Sequence, residues 1–230
     1  MSLRGRFEAF IRTLDGFEDI DELLKGNDPP NMKRADYLLS ERKIIIEQKS
    51  LEVDPTGKPQ RFVDKLVQQQ RLLFWGRLST RVLFSKHPDA ERLQRQLVLK
   101  IAEVIDDNVA TADKQTRDTR TIFSIPEAAG LLVLLNEQAG MLSPDIVHYA
   151  LAQAFQKKAP DGALRYPHND GVMLIAEAHP VAVSGFAKAF PIMCFIAPDA
   201  PGRRQLGGVM DMLQIRWAQF NGVPLIKMTS

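Results

Sequence analysis

The chain has 230 residues, of which 45% are hydrophobic, 25% charged and 7% aromatic, proportions typical of a globular domain able to bury a substantial apolar core. Thirty Lys and Arg oppose 28 Asp and Glu, a net charge of +2, which excludes a strongly basic nucleic-acid coat or an acidic tail but allows a local basic patch. The single cysteine, Cys194, excludes an internal disulfide framework and a cysteine zinc site and fits a reducing cytosol. No apolar run long enough for a membrane span occurs, and Met1–Arg6 lacks the apolar stretch of a secretion signal, so the expected location is cytoplasmic with no membrane partner.

Phe7, Phe10, Ile11 and Leu14 recur at helical spacing and predict an amphipathic helix over residues 5–14. Phe17, Ile20, Leu23 and Leu24 mark a second short helix, stopped near Gly26. The paired prolines of Asn27-Asp28-Pro29-Pro30-Asn31 make a loop. Two strands are expected next, Ala35–Leu39 and Lys43–Lys49, the second on its β-branched triplet Ile44-Ile45-Ile46. Asp54–Pro59 reads as a loop and residues 60–118 as a long helical region. Residues 58–120 hold 13 Lys and Arg against 8 Asp and Glu, the largest local basic excess.

Further on, the continuous apolar runs 131–135 and 172–176 predict strands covered on both faces, with a helix between them around Ile146, Tyr149, Ala150 and Phe155. Residues 191–196 predict another strand, 206–220 a helix and 223–226 an edge strand. Strand, helix and strand in succession point to an α/β fold. The expected organisation is one domain over 1–230, with a core of residues 5–136 that includes the helical segment 60–118, and additional α/β elements over 137–230.

The most informative stretch is 36–49. Glu47 and Lys49 lie two apart on a strand, so they project from one face, roughly 7 Å apart. A two-residue hairpin loop at Glu41-Arg42 puts Asp36 directly across from Glu47, with Ile44 and Ile46 on the opposite face alongside Tyr37 and Leu39. A three-residue loop would shift the pairing by one, and Glu-Arg is not a favoured tight-turn pair. Two facing carboxylates force one of them to take a proton unless a cation sits between them. Oxygen ligands suit a hard ion such as Mg²⁺, and Lys49 would add positive charge for an attacking water or a phosphate.

Asp36, with Glu47-Gln48-Lys49 starting eleven positions on after an apolar run, resembles the signature of the PD-(D/E)xK nuclease superfamily, with Ala35 where many members have proline. The resemblance implies a restriction-endonuclease-like mixed sheet flanked by helices, with a helical insertion after the catalytic hairpin. It implies Asp36 and Glu47 as ligands of Mg²⁺ or Mn²⁺, the Gln48 carbonyl as a further ligand, Lys49 as the catalytic lysine, and nucleic acid, DNA in the first instance, as substrate. A two-fold homodimer is left open. Members often add an acidic residue from the preceding helix, for which Asp21 is the candidate and Glu8 the alternative. Polar residues on the helix after the lysine strand make Lys114, Gln115 and Arg117 candidates for phosphate contact.

Other signals have simpler readings. His168-Asn169-Asp170 lacks a second histidine at ligand spacing and reads as a polar loop. Glu177 and His179 read as a strand-end ion pair. Cys194, the pair Phe74-Trp75, and Trp217 read as core. Ser184-Gly185 lacks the preceding glycine of a nucleophile elbow, and Gly202 to Gly208 holds no phosphate-binding fingerprint. The expected function is a metal-dependent deoxyribonuclease. The alternative is a non-catalytic nucleic-acid-binding or protein-interaction module on the same scaffold.

Overall fold

The fold is seen in a computed structural model, which describes residues 1–27, 29–51, 61, 89–183, 185–200 and 203–226. The elements are α1 (Leu3–Ile11), β1 (Glu18–Asp19), α2 (Ile20–Leu24), β2 (Tyr37–Leu39), β3 (Ile44–Ser50), α3 (Ala90–Phe123), β4 (Ala129–Asn136), α4 (Pro144–Gln156), β5 (Gly171–Ala176), β6 (Val181–Val183), β7 (Phe186–Ala189), β8 (Ile192–Ile196) and α5 (Arg203–Phe220). Six strands form one sheet in the order β1-β2-β3-β4-β5-β8. Its centre, β3-β4-β5, is parallel, and its outer pairs are antiparallel. β6 and β7 form a separate hairpin.

Every residue of β4 and β5 is buried, as expected of central strands with helices on both faces. On one face Leu131, Val133, Met173 and Ile175 pack against Phe7 and Phe10 of α1 and Leu213 and Trp217 of α5. On the other, Leu132, Leu134, Val172 and Leu174 meet Ile105 and Val109 of α3 and Leu151 of α4. The chain is thus an α/β fold with a mixed sheet between two helical layers, and β5 and β8 join the same sheet as the strands of residues 5–136.

Several boundaries differ from the sequence reading for identifiable reasons. The helix expected over 17–24 starts only at Ile20, because Asp19 is its N-cap, accepting from the amides of Asp21 at 3.0 Å and Glu22 at 3.3 Å. Residues 18–19 before it are strand. Residues 223–226 are not a strand: the Val223 amide donates back to the Ala218 carbonyl at 3.0 Å and closes α5, and Pro224 has no amide for a ladder. The hairpin β6–β7 was not expected; it turns at Gly185, whose φ of 85° suits glycine. Cys194 is exposed rather than core, because β8 is the last strand of the sheet. Trp217 is buried as expected. Of the helical region 60–118, the part from Ala90 onward belongs to α3, which continues to Phe123. Apart from residues 61 and 89, the rest of that region, with the 54–59 loop, Phe74-Trp75, Ser184 and Gly202, falls outside the described residues.

The β2–β3 turn is the two-residue one. Pairs Tyr37↔Ile46, Leu38↔Ile45 and Leu39↔Ile44 set the register, and the Lys43 amide donates to the Ser40 carbonyl at 3.1 Å. Ser40, Glu41 and Arg42 have φ of 55°, 55° and 63°, a left-handed run that costs non-glycine residues about 1–2 kcal/mol each. Side-chain contacts offset that strain. The Arg42 guanidinium grips both Glu18 carboxylate oxygens at 2.6–3.1 Å and lies 5.4 Å from the Phe123 ring centroid. A primed turn of this kind twists as the strands do, so tertiary contacts stabilise a geometry that the Glu-Arg pair does not favour.

The loop His168-Asn169-Asp170 braces the sheet against α3. Arg120 donates to Ala128 O and Asp170 Oδ2, both at 2.9 Å, and faces His168 Nδ1 at 3.0 Å. Asp170 Oδ2 also accepts from the Gly130 amide at 2.7 Å, and Asp113 accepts from the His168 amide at 2.7 Å. A Cβ on Gly130 would stand 2.3 Å from the His168 carbonyl oxygen and 2.8 Å from Thr116 Cγ2. Gly130→Ala is therefore expected to lower stability by about 3 kcal/mol, the upper end of overpacking, as read by urea denaturation. A loss below about 1 kcal/mol would mean that this loop yields easily.

Candidate active site

The register carries Asp36, one residue before β2, to the position opposite Glu47. Leu38 and Ile45, which share the alternation of Asp36 and Glu47, pack together with Ile20 and Ala35, while Tyr37, Leu39, Ile44 and Ile46 face α1. Asp36, Glu47 and Lys49 therefore share the face covered by α3. Glu47 and Lys49 stand beside Leu132 and Leu134 of β4.

Glu47 is 1% exposed, a carboxylate within the apolar layer. One of its oxygens, Oε1, is ion-paired with Lys49 Nζ, and the Gln115 side chain, on α3, favours the charged form of the carboxylate. The other, Oε2, is buried without a partner among the described residues. Asp36 is pinned on three sides. Its amide donates to the Ile46 carbonyl at 3.1 Å, its carbonyl accepts from the Ile20 amide at 3.1 Å, and Oδ2 accepts from the Gln48 amide at 2.7 Å.

The electrostatics follow from this burial. Desolvation first and the Asp36 charge second push the Glu47 carboxyl from 4.5 up to about 7, against the opposing effect of Lys49 and Gln115. Asp36 is raised too, chiefly by burial, against the Gln48 amide and Lys49. A carboxylate with one orphaned oxygen, raised by the charge of a second carboxylate and set beside a half-buried ammonium, suits a hard divalent cation. The orphaned Glu47 Oε2 is the observation on which Mg²⁺ fits: a buried anionic oxygen with no hydrogen bond is costly unless something positive meets it. Among the described residues, no group of three or more His, Cys, Asp or Glu side chains converges as a ready metal cluster.

The other sequence candidates are distributed around this centre. Gln48 presents its amide to Asp36, while its side chain alternates to the α1 face. Gln115 reaches Glu47 and also donates from Nε2 to the Arg34 carbonyl at 2.8 Å. Lys114 is exposed, and Arg117 turns along its own helix to Asp118 at 2.9 Å. Asp21 is exposed, paired with Arg34 at 2.8 Å, and close enough to raise the Asp36 carboxyl. Glu8 pairs with Arg4 at 2.8 Å. Glu177 pairs with Arg6 of α1 rather than with His179, which faces the Ala139 carbonyl at 3.4 Å.

Asp118 and Thr119, which the sequence reading passed over, share a helical face with Gln115. The signal was present, since the buried stripe of α3 runs apolar through Ile105, Val109 and Ala112 and then turns polar at Asp113, Thr116, Asp118 and Thr119. No family model, curated protein or solved structure matches this chain.

Raising a buried carboxyl has a definite sign in stability. The folded state binds the Glu47 proton more tightly, so stability falls as pH rises from 4.5 to 7 and is flat, for this group, beyond. At about 1.4 kcal/mol per unit the loss is about 3 kcal/mol. Glu47→Gln is expected to remove this part of the pH dependence, so that the variant is the more stable protein at pH 8. Parallel pH–stability curves for the two proteins in urea denaturation would show that Glu47 titrates as an ordinary glutamate.

Proposed function

We propose that the chain is a metal-dependent nuclease of restriction-endonuclease-like fold that hydrolyses phosphodiester bonds of DNA. The observation behind this reading is the buried Glu47 carboxylate with its unpartnered Oε2, standing opposite Asp36 and beside Lys49. Such a group lowers stability in the absence of a ligand, and perturbed carboxyls of this kind concentrate at functional sites. Asp36, Glu47 and the Gln48 carbonyl would hold Mg²⁺ or Mn²⁺. When bound, that ion acidifies a water and offsets charge on the phosphate.

The protein's own groups have separate tasks. Asp36, fixed by three hydrogen bonds, sets the position of one anionic oxygen. Glu47 releases its proton near neutrality, so cation affinity rises with pH up to about 7. Lys49, 28% exposed at its side chain, reaches from the buried carboxylate toward solvent. There its ammonium orients the attacking water or pairs with a phosphate oxygen. Lys114 and Arg117, with the basic residues of 58–120, supply charge for a nucleic-acid backbone.

The alternative, a non-catalytic module on the same scaffold, is favoured by one observation: Lys49 already neutralises Glu47. It predicts salt-dependent binding without turnover. Incubation with plasmid, linear and branched DNA in Mg²⁺ or Mn²⁺ separates the two readings. Lys49→Ala is expected to lower cleavage by about a hundred-fold or more with retained folding. Asp36→Asn is expected to weaken Mg²⁺ binding about ten-fold or more in calorimetry. Binding without cleavage by the unmodified chain in either metal would favour the module.

A further inference from the structure

The geometry points to the Gln115–Asp118–Thr119 face of α3 as a positioning clamp: these three side chains fix the backbone of residues 33–35 and so set where the Asp36 carboxylate stands relative to Glu47. The inference rests on the reading of Asp36 and Glu47 as the metal-holding pair.

Three consecutive residues are gripped by one helix. The Lys33 amide donates to Asp118 Oδ2 at 3.0 Å. The Arg34 carbonyl accepts from Gln115 Nε2 at 2.8 Å. The Ala35 amide donates to Thr119 Oγ1 at 2.9 Å. Residues 33–35 precede β2 and lie outside the strand ladder, so their peptide groups need partners from elsewhere. Ala35 is 1% and Thr119 0% exposed, so water cannot replace the lost acceptor at that position.

Gln115 donates from Nε2 to the Arg34 carbonyl, two residues before Asp36, and stands close enough to Glu47 to favour its charged carboxylate. The separation of the two carboxylates is thereby referred to one rigid helix rather than to a loop.

Thr119→Val removes the acceptor with little change of shape, and Thr119→Ser keeps it. Two readouts are taken: exchange of the Gln48 amide, which donates to Asp36 Oδ2, in metal-free protein, and Mg²⁺ affinity by calorimetry. Thr119→Val is expected to speed exchange at Gln48 relative to Ile45 in the same strand, and to weaken Mg²⁺ binding about ten-fold. Thr119→Ser is expected to restore both. If Thr119→Val does not fold, Asp118→Ala, whose lost bond lies at the exposed Lys33, is expected to move both readouts in the same direction.

Equal acceleration at Gln48 and Ile45 would indicate general destabilisation and overturn the clamp, as would unchanged Mg²⁺ affinity in a valine variant of a chain that binds the ion. A wild-type chain that binds no Mg²⁺, yet whose Gln48 amide responds selectively to Thr119→Val, would support the clamp and overturn the metal reading instead.

Discussion

A carboxylate inside a hydrophobic layer organises the structure around it. An aliphatic side chain at position 47 would join Leu132 and Leu134 in the layer beneath α3 and contribute burial energy. Glutamate instead brings a desolvation penalty that Lys49 and Gln115 only partly offset, and Asp36 adds repulsion to it. Removing the charge by protonation near pH 7 is the protein's own way out, which means that the site is poised between two charge states in the range where proteins work. Core positions do not drift into that condition for stability, because a buried ion pair seldom outperforms apolar packing. The cation proposed for this site would supply the positive charge that Glu47 Oε2 lacks among the described residues.

The turn at the end of the hairpin governs whether that chemistry can exist. A slip of one residue would carry Asp36 to the α1 face, away from Glu47, because side chains alternate with a period of two. The register is therefore guarded by contacts well away from the carboxylates: the Arg42 fork on Glu18, the Phe123 ring beneath it, and the isoleucines and leucines that sort to opposite faces. Left-handed conformations at three successive non-glycine residues are tolerated because so much packing depends on the result.

How far the sequence was legible follows from the same physics. The alternation of Ile44, Ile45, Ile46 and Glu47 against Tyr37, Leu38 and Leu39 is local and favours the observed register, whereas the Glu-Arg turn pair left a three-residue loop open. The apolar runs of β4 and β5 likewise announced two-sided burial. Cys194 was misread because an apolar pentapeptide looks alike in a central strand and in the last one; strand order is a property of the whole chain. Asp19 as a helix cap is a local signal that the apolar spacing of Phe17 and Ile20 overrode, whereas Gln115 as a neighbour of Glu47 depends on contacts across the fold, for which spacing alone offers no geometry. The polar turn in the stripe of α3 was visible, but its meaning required knowing that residues 33–35 run alongside.

That helix joins the two polar regions of the molecule. Asp113, Thr116 and Arg120 face the start of β4 and the loop before β5, where Asp170 and Gly130 exchange hydrogen bonds. Gln115, Asp118 and Thr119 face the segment that delivers Asp36. Successive residues of one α-helix are rotated by about 100°, so a stretch of two turns can grip both regions at once. A shift of α3 against the strand ends would then move the residues around Asp36 by a comparable amount, since helices translate as rigid units and packed interiors transmit displacement. The geometry of the two carboxylates thus depends on polar contacts on the far side of the same helix, and the glycine that permits that close approach contributes indirectly to the position of Asp36.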